Sequence, residues 1–335
     1  MDARHFAMLQ EMNDPQQRRL RAQSSRYMTA RGSTHNERRI IKNLQYGVFQ
    51  TQKRDHMMRP DIFPSPQCVL CQGRRPDATT RRILDSDGTG EDGCGHVMGG
   101  CTHRVLSACY IKRHNEAVAA VAKAVANGSR GRWLQVADLR QECLGELSEA
   151  QREVVTSRIP AFMLPDVADE ERLKMRPDIL FVDGMEEGWQ GMEVTTERLR
   201  RLKARCTVYM LEVGYCRDNA ALRKRAEKRC QHIRLRRALR AEGWKVVEVP
   251  FVLGHCGSVY GQELEALQTL GVTKADALAL LKWLHEHAIR STCGVARLYQ
   301  QLRSKRNAEL GYVWKAKNRN QQGGAPRGGP ARRPP

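Results

Sequence analysis

The pattern of apolar and polar positions changes near residue 104, where a polar first part of the chain gives way to a mixed α/β second part. Residues 1–60 are polar and basic and show no strong apolar stripe, which predicts a basic helical arm that packs little core of its own. From Val105 to Val125 apolar residues recur at helical spacing, and Asn127-Gly128 follows them. We therefore predict a helix over residues 104–126.

Short apolar runs in the second part predict a sheet, and longer periodic segments between and after them predict helices. The predicted strands are 176–183, 207–216 and 244–253, with weaker patterns at 133–136 and 161–164. The predicted helices are 218–242, with Asp218 as N-cap, then 261–270, 274–289 and 292–308. This alternation predicts an α/β fold in which a mixed sheet is flanked by helices.

Charge is the most informative part of the composition. The chain has 335 residues, 41% of them hydrophobic, and a net charge of +20, a surplus that favours a polyanionic partner because phosphate contacts release counterions. The tail, residues 309–335, is rich in Gly, Pro and Arg, and we expect it to be disordered and to touch nucleic acid nonspecifically.

The apolar runs also bear on the compartment. None approaches the roughly 20 residues that span a bilayer, and the first residues show no signal-peptide pattern. We therefore expect no membrane partner and an intracellular location, nuclear if the source is eukaryotic. In a reducing compartment, closely spaced cysteines are interpreted as metal ligands in preference to disulfides.

Two pairs of residues have the spacing of zinc ligands. Two residues separate Cys68 from Cys71, and four separate His96 from Cys101. Three thiolates and one imidazole make a closed tetrahedral structural Zn²⁺ site. Cys94 or His103 is an alternative ligand in this set. Six further thiols are interpreted as plain buried or surface cysteines: Cys109, Cys143, Cys206, Cys230, Cys256 and Cys293.

Two carboxylates lie on or beside predicted strands. Asp178 follows Pro177 and precedes an apolar run, and Glu212 lies mid-strand between Leu211 and Val213. Burying a lone carboxylate costs several kcal/mol, a cost that a bound cation removes. Asp178 and Glu212 are therefore candidate ligands of a catalytic Mg²⁺ that acts on a phosphodiester. Glu193, on a shorter apolar run, is the rival for the second acid.

A nuclease of this kind also needs a lysine near the acids. The usual nuclease pattern has it two residues after the second acid, but Gly214 follows Glu212 at that spacing and Thr195 follows Glu193. We therefore look to the predicted helix that begins at residue 218. It carries Lys228, our choice, and Lys224, the alternative, on one face that His232 continues. The competing interpretation makes these lysines solvated or phosphate-contacting charges.

Taken in order, these motifs resemble the restriction-like endonuclease region at the C-terminus of non-LTR retrotransposon polyproteins. The resemblance covers about residues 40–305 and rests on seven pieces. They are Cys68-Val69-Leu70-Cys71, Gly95-His96-Val97-Met98-Gly99-Gly100-Cys101, Lys112-Arg113-His114-Asn115, Arg176-Pro177-Asp178-Ile179, Leu211-Glu212-Val213-Gly214-Tyr215-Cys216 with Asp218, Lys228 with Gln231-His232, and Val249-Pro250-Phe251-Val252-Leu253-Gly254 with Gly257 and Tyr260.

The resemblance implies a zinc module, residues 61–103, joined to a PD-(D/E)XK endonuclease domain with C-terminal helices, residues 104–308. Such nucleases nick target DNA, and the freed 3′ hydroxyl primes reverse transcription, so element RNA and a reverse transcriptase are implied partners. Carried over by position, Asp178 and Glu212 become the Mg²⁺ ligands and Lys228 the catalytic lysine. The implied DNA contacts are Arg113, His114, Arg176, Lys224 and His232.

The chain departs from the family in two ways that keep other functions open. It contains no Tyr-x-Asp-Asp motif of a reverse transcriptase, and the segment between Cys71 and His96 is long. One alternative is a catalytically inactive, zinc-dependent nucleic-acid-binding protein. Another is a fragment that serves as a scaffold for a separate reverse transcriptase. For His114, support of the zinc module by packing or hydrogen bonding is an alternative to catalysis.

Overall fold

The structure is a computed structural model. It describes residues 34–71, 92–128, 134–137, 155–156, 158–185, 194–218 and 220–312. The first 33 residues of the predicted arm, most of the predicted tail and the rival acid Glu193 lie outside these ranges. Within them, no helix combines the length and the apolar character needed to cross a bilayer.

The described residues of the first part of the chain form three helices and a π-helical turn. They are α1 (His35–Gln45), α2 (Gln52–Met58), the π-helical turn His96–Gly100, and α3 (Arg104–Ala126). The α3 helix confirms the prediction made for residues 104–126.

The second part alternates strands and helices. Its elements are β1 (Leu134–Ala137), β2 (Val155–Thr156), a 3₁₀ turn (Ala161–Met163), α4 (Asp169–Lys174), β3 (Ile179–Asp183), α5 (Thr196–Arg205), β4 (Thr207–Cys216), α6 (Ala221–Gln231), α7 (Ile233–Ala241), β5 (Lys245–Gly254), α8 (Gly261–Thr269) and α9 (Lys274–Glu309). The strand predicted at 207–216 has the predicted bounds, and the strand predicted at 244–253 is shifted by one residue.

The described strands form one mixed sheet in the order β2-β1-β3-β4-β5. β3 is antiparallel to β1 and to β4, whereas β4 and β5 are parallel and pair over ten residues, from Thr207 with Lys245 to Cys216 with Gly254. The predicted mixed α/β architecture is therefore confirmed.

Helices cover each face of the sheet. Side chains along the strands alternate between the two faces, so each face contributes to a separate core. Phe181 and Leu211 point toward α3 and α9, where they join residues such as Leu281. Leu180 and Met210 point the other way, toward a second core that includes Leu235 of α7. The even-numbered positions of β3 and β4 thus share one face.

The prediction that the first 60 residues pack little core is wrong for the residues from 34 to 60 that the structure describes. Ile40, Ile41 and Leu44 form a narrow apolar stripe on α1, and with Phe49 they join a cluster that also contains Tyr299 of α9. Arginines and lysines around this stripe obscured it in the sequence.

The strand predicted at 161–164 is also wrong. The segment forms the 3₁₀ turn, and Met163 and Leu164 are buried beneath Trp244. The indole Nε1 of Trp244 donates a hydrogen bond to the Met163 carbonyl oxygen at 3.0 Å. A short apolar run does not by itself distinguish a buried turn from a strand.

Three details of the predicted helices are corrected. The helix predicted at 218–242 breaks at His232 into α6 and α7, and the helices predicted at 274–289 and 292–308 are the single helix α9. Asp218 caps no helix, because its carboxylate accepts hydrogen bonds from the backbone N–H groups of Cys256 and Ser258, both at 3.1 Å. It fastens the end of β4 to the loop after β5.

Candidate active site and metal-binding cluster

Asp178 and Glu212 lie side by side on one face of the sheet. Ile179 pairs with Leu211 in the antiparallel β3–β4 ladder, so Asp178, one residue before β3, lies opposite Glu212. The backbone N–H of Asp178 donates to Glu212 Oε1 at 3.3 Å. The backbone N–H of Val213 donates to Asp178 Oδ2 at 2.8 Å. The two acids, which are 34 positions apart in the chain, are thus brought together by the sheet.

Lys228 of α6 reaches both carboxylates. Its Nζ lies 3.4 Å from Asp178 Oδ2 and 3.6 Å from Glu212 Oε2. The helix packs over β4 at Gly214, where an added Cβ would lie only 2.9 Å from Lys228 Cε. The amine therefore comes from the helix, in the place where the usual nuclease pattern has a lysine on the strand itself.

A histidine lies close to the second oxygen of each carboxylate, the one not paired with Lys228. His114 of α3 places Nε2 3.1 Å from Asp178 Oδ1, and His232, between α6 and α7, places Nε2 3.3 Å from Glu212 Oε1. No sequence pattern indicates the first contact, because 64 positions separate His114 from Asp178 and no periodicity relates them. His114 thus lies at the carboxylate site.

The two carboxylates have opposite electrostatic environments. Burial alone would raise the pKa of Asp178, but the charge of Lys228 and the hydrogen bonds from His114 and the Val213 N–H hold it well below its usual value. Burial and the neighbouring charge of Asp178 raise the pKa of Glu212, against the opposing effects of His232 and Lys228. Ionised Glu212 therefore carries an electrostatic cost in the folded state.

The oxygens of this pair fit a hard divalent cation. Among the described residues, Glu212 Oε2 is buried and accepts no hydrogen bond, although Lys228 Nζ is close to it. A cation bound there would relieve the repulsion between the acids and the burial of Glu212, and carboxylate oxygens are the ligands that Mg²⁺ prefers. Asp178 and Glu212 are the residues that would hold it.

A pocket opens beside Glu212 on the β5 side of the site. It is lined by Met210, Glu212, Lys228, Arg229, His232, Glu248, Val249 and Pro250. Arg229 is exposed at this opening. Arg229 lies in a run of basic residues and Glu248 lies in strand β5, and neither belongs to a motif that would mark it in the sequence.

Two residues predicted to contact DNA are not available for it. Arg113 is fully enclosed by protein, and its guanidinium donates to Met98 and Thr292. Lys224 is also buried, and its Nζ donates to Glu227 at 3.0 Å. In both cases helix packing, which a charge run does not reveal, covers the side chain. Arg176 is exposed, with its Nε donating to the Leu173 carbonyl oxygen at 3.2 Å.

Cys68, Cys71, His96 and Cys101 converge on a second, separate site. Their ligand atoms all lie within 4.8 Å of one another, and all four residues are buried. Sγ of Cys68 is 3.9 Å from Sγ of Cys101, and Sγ of Cys71 is 3.5 Å from Nε2 of His96. This Cys₃His cluster could hold a metal ion, and three thiolates with one imidazole are ligands typical of zinc. The alternative ligands Cys94 and His103 are not part of it.

Helices on either side fix the Cys₃His cluster in the fold. The Tyr110 hydroxyl of α3 donates to the Val97 carbonyl oxygen at 2.7 Å. Asp92 accepts from the backbone N–H of Gln52 at 2.7 Å and from the hydroxyl of Tyr299. Burial raises the pKa of Asp92. The cluster is therefore packed between α2, α3 and α9.

Comparison with protein-family models, with curated proteins and with solved structures found none that matches this chain. Its function has to be inferred from the residues of the two sites.

Proposed function

We propose that this chain is a metal-dependent DNA endonuclease that nicks target DNA by hydrolysing a phosphodiester bond, as the restriction-like nucleases of non-LTR retrotransposons do. One observation carries the proposal. The amine of Lys228 lies 3.4 Å from a carboxylate oxygen of Asp178 and 3.6 Å from one of Glu212. Two acids and a lysine gathered at one point are the minimal machinery of a PD-(D/E)XK nuclease, and we infer a core of that type.

The local sheet supports this inference. Asp178 precedes β3, which is antiparallel to β4. Glu212 lies on β4, and β4 is parallel to β5. Helix α6, which supplies the lysine, packs against both β4 and β5. The acids therefore come from rigid neighbouring strands, and the lysine from the helix that follows them, which suits a site that must hold its groups within a fraction of an ångström.

The proposed chemistry is in-line attack of water on phosphorus. Mg²⁺ bound by Asp178 and Glu212 would stabilise the charge on the phosphoryl oxygens and the leaving group. Lys228 orients the attacking water and offsets negative charge. His114 holds Asp178 Oδ1 and His232 holds Glu212 Oε1, so that each carboxylate keeps a fixed orientation.

Charge on the surface around the site supports a nucleic-acid substrate. The net charge is +20, and helices α6 and α7 carry exposed arginines: Arg223, Arg229, Arg234 and Arg237. Phosphate contacts of this kind position DNA without reading its sequence. In the proposed function the Cys₃His cluster holds structural Zn²⁺, element RNA and a reverse transcriptase are further partners, and the protein acts inside the cell, in the nucleus of a eukaryote.

Nicking of supercoiled plasmid DNA tests the proposal. Purified chain is incubated with plasmid and Mg²⁺, and the open-circular product is quantified over time. Wild type is expected to nick, and Asp178→Asn, Glu212→Gln and Lys228→Ala are each expected to lower the rate by about 100-fold or more, because each removes a group that acts on the reacting phosphate.

The matched control is Asp169→Asn, since Asp169 is an acid exposed on α4 that forms an ion pair with Arg172 of the same helix. This variant should nick at the wild-type rate. Nicking that persists in Asp178→Asn and Glu212→Gln would come from a contaminant or from another site, and would refute the assignment.

A nucleic-acid-binding protein without catalysis is the second candidate, favoured by the net charge of +20 and the buried Cys₃His cluster. It predicts affinity for DNA that falls steeply with salt, and no cleavage with Mg²⁺, Mn²⁺ or Co²⁺. Measuring binding and cleavage on the same preparation separates the two functions. A scaffold for a separate reverse transcriptase would instead bind that enzyme and show no DNA affinity of its own.

A further inference from the structure

Helix α3 runs between the Cys₃His cluster and the carboxylate site and is bonded to both. On one side, the Tyr110 hydroxyl donates to the carbonyl oxygens of His96 and Val97, at 3.4 and 2.7 Å. One helical turn later, Arg113 Nη2 donates to the Met98 carbonyl oxygen at 2.9 Å. Three consecutive carbonyl groups of the π-helical turn that carries the ligand His96 are thus held by α3.

Arg113 is buried without an acid. Among the residues that the structure describes, its guanidinium forms no ion pair. Its partners are the Met98 carbonyl, the Thr292 hydroxyl at 3.1 Å, and the faces of Tyr215 and Tyr110, 4.5 and 5.7 Å from the ring centroids. Burying an arginine in this way is costly, and stability alone would favour an apolar residue there. The guanidinium instead joins the π-helical turn, α9 and β4 at a single point.

The next residue in the chain is His114, whose Nε2 lies 3.1 Å from Asp178 Oδ1. Tyr215, beneath the guanidinium, lies three residues after Glu212 on β4. A shift of the π-helical turn would therefore move Arg113, and with it both the His114–Asp178 contact and the end of β4.

We infer that Arg113 is a positioning residue that couples metal occupancy of the Cys₃His cluster to the placement of His114 against Asp178, and so to divalent-cation binding at the carboxylates. When the cluster is filled, the π-helical turn is rigid and Arg113 holds the register of α3. When it is empty, the turn relaxes and the carboxylate site loses affinity for its cation. The biological role of this coupling rests on the proposed function, but the coupling itself can be measured without assuming that function.

The test uses the full chain labelled with isotopes in its histidine rings. The His114 resonance is assigned with His114→Gln, and Zn²⁺ is titrated into metal-free protein. Mn²⁺ affinity is then read from paramagnetic broadening of that resonance, with and without Zn²⁺. In wild type, Zn²⁺ should shift the His114 signal and tighten Mn²⁺ binding by about 10-fold or more, the size of effect found for groups that orient metal ligands.

Arg113→Gln keeps a donor for the Met98 carbonyl but loses the charge and the bond to Thr292, and Arg113→Lys keeps the charge. In Arg113→Gln, Zn²⁺ should still bind but should no longer change Mn²⁺ affinity, and Arg113→Lys should restore part of the effect. The control is Lys112→Ala, an exposed neighbour on the same helix, which should behave as wild type.

The inference is overturned if Zn²⁺ leaves the His114 resonance and Mn²⁺ affinity of wild type unchanged, or if Arg113→Gln retains the full effect. Should Arg113→Gln fail to fold, the wild-type titration and Arg113→Lys decide the question. Plasmid nicking is measured in parallel. Coupling without nicking would contradict the proposed function alone, and nicking without coupling would contradict this inference alone.

Discussion

Gly214 leaves open the space that the side chain of Lys228 occupies. A Cβ built on Gly214 would lie 2.9 Å from Lys228 Cε and 3.4 Å from Lys224 Cε. Side chains two residues apart on a strand share a face, so position 214 faces the same way as Glu212. The glycine lets α6 approach β4 and deliver its lysine to the acids.

Moving the lysine from the helix to the strand should therefore preserve the proposed chemistry. Lys228→Ala alone is expected to lower plasmid nicking by about 100-fold or more. Adding Gly214→Lys to Lys228→Ala should restore part of the lost rate, because the new side chain enters the space that the side chain of Lys228 occupied. Nicking rates of the two variants provide the measurement.

Gly214→Lys in the wild-type background is the control. Here both lysines compete for one space, and the variant should be less stable to urea than wild type because of the crowding. If the double variant is no more active than Lys228→Ala, although it folds, then a lysine at this point in space does not account for the activity.

Neutralising the two acids should change stability in opposite directions at pH 7. The pKa of Asp178 is lowered, so its ionised form stabilises the fold above its unfolded pKa of about 3.9. The pKa of Glu212 is raised by burial and by Asp178, so ionised Glu212 costs stability once the pH exceeds its unfolded pKa of about 4.3. Asp178→Asn should therefore lower the free energy of unfolding, and Glu212→Gln should keep or increase it.

Urea unfolding of both variants and wild type between pH 4 and pH 7 is the measurement. Any gain from Glu212→Gln should fade as the pH falls through about 4.3, below which the wild-type residue is protonated in the unfolded chain as well. Equal destabilisation by the two substitutions across this range would contradict the electrostatic assignment. Both variants should lack nicking activity whatever their stability.

Strands β3, β4 and β5, and the two acids that the sheet brings together, could be predicted from sequence because both depend on local pattern. A ten-residue apolar run from Thr207 to Cys216 has few alternatives to a buried strand, and Glu212 within it implies a partner. The four ligands of the Cys₃His cluster were also predictable, because their spacing is itself the signal.

What the sequence did not reveal depends on packing between distant elements. Arg113 and Lys224 have the sequence appearance of solvated charges, and only the fold shows that helices cover them. Ala161 to Leu164 is apolar whether it forms a strand or a turn under Trp244. Contacts such as His114 with Asp178 cross 64 positions, and no pattern within a single helix or strand encodes them.

Removing the metal from the Cys₃His cluster should destabilise the protein, because the four ligands are buried among Ile41, Phe49, Val97 and other apolar residues of one core. A zinc-selective chelator, or Cys71→Ala, is expected to remove about one metal ion per chain and to lower the thermal midpoint by about 5 °C or more, equivalent to a loss of a few kcal/mol.

Metal content by mass spectrometry and melting by circular dichroism would be measured together. Cys230→Ala is the matched control, since Cys230 is an exposed thiol on α6 and its loss should change neither quantity. Metal-free protein as isolated, with a melting temperature insensitive to both chelator and Cys71→Ala, would show that the cluster is not a metal site.

Helix α6, which carries Lys228, is fastened to α8 by a buried ion pair. Arg225 Nη2 donates to both carboxylate oxygens of Glu263, at 2.7 and 3.0 Å, and Glu263 also accepts from the backbone N–H of Val252 at 3.0 Å. Burial raises the pKa of Glu263, so its charge depends on this arginine. The pair fixes the height of α6 over β4 and β5.

Breaking the pair from one side should cost more than removing it. Arg225→Met leaves a buried carboxylate unpaired and is expected to lower the free energy of unfolding by about 3–5 kcal/mol. Arg225→Met with Glu263→Gln should recover a large part of that loss, because the amide oxygen still accepts from the Val252 N–H and no charge remains buried. Arg223→Met, on the exposed side of the same helix, should change stability by no more than about 0.5 kcal/mol. Urea unfolding of wild type, Arg225→Met, Glu263→Gln and the double variant gives the interaction energy, and a double variant as unstable as the sum of its single changes would show that the two side chains do not act as a pair.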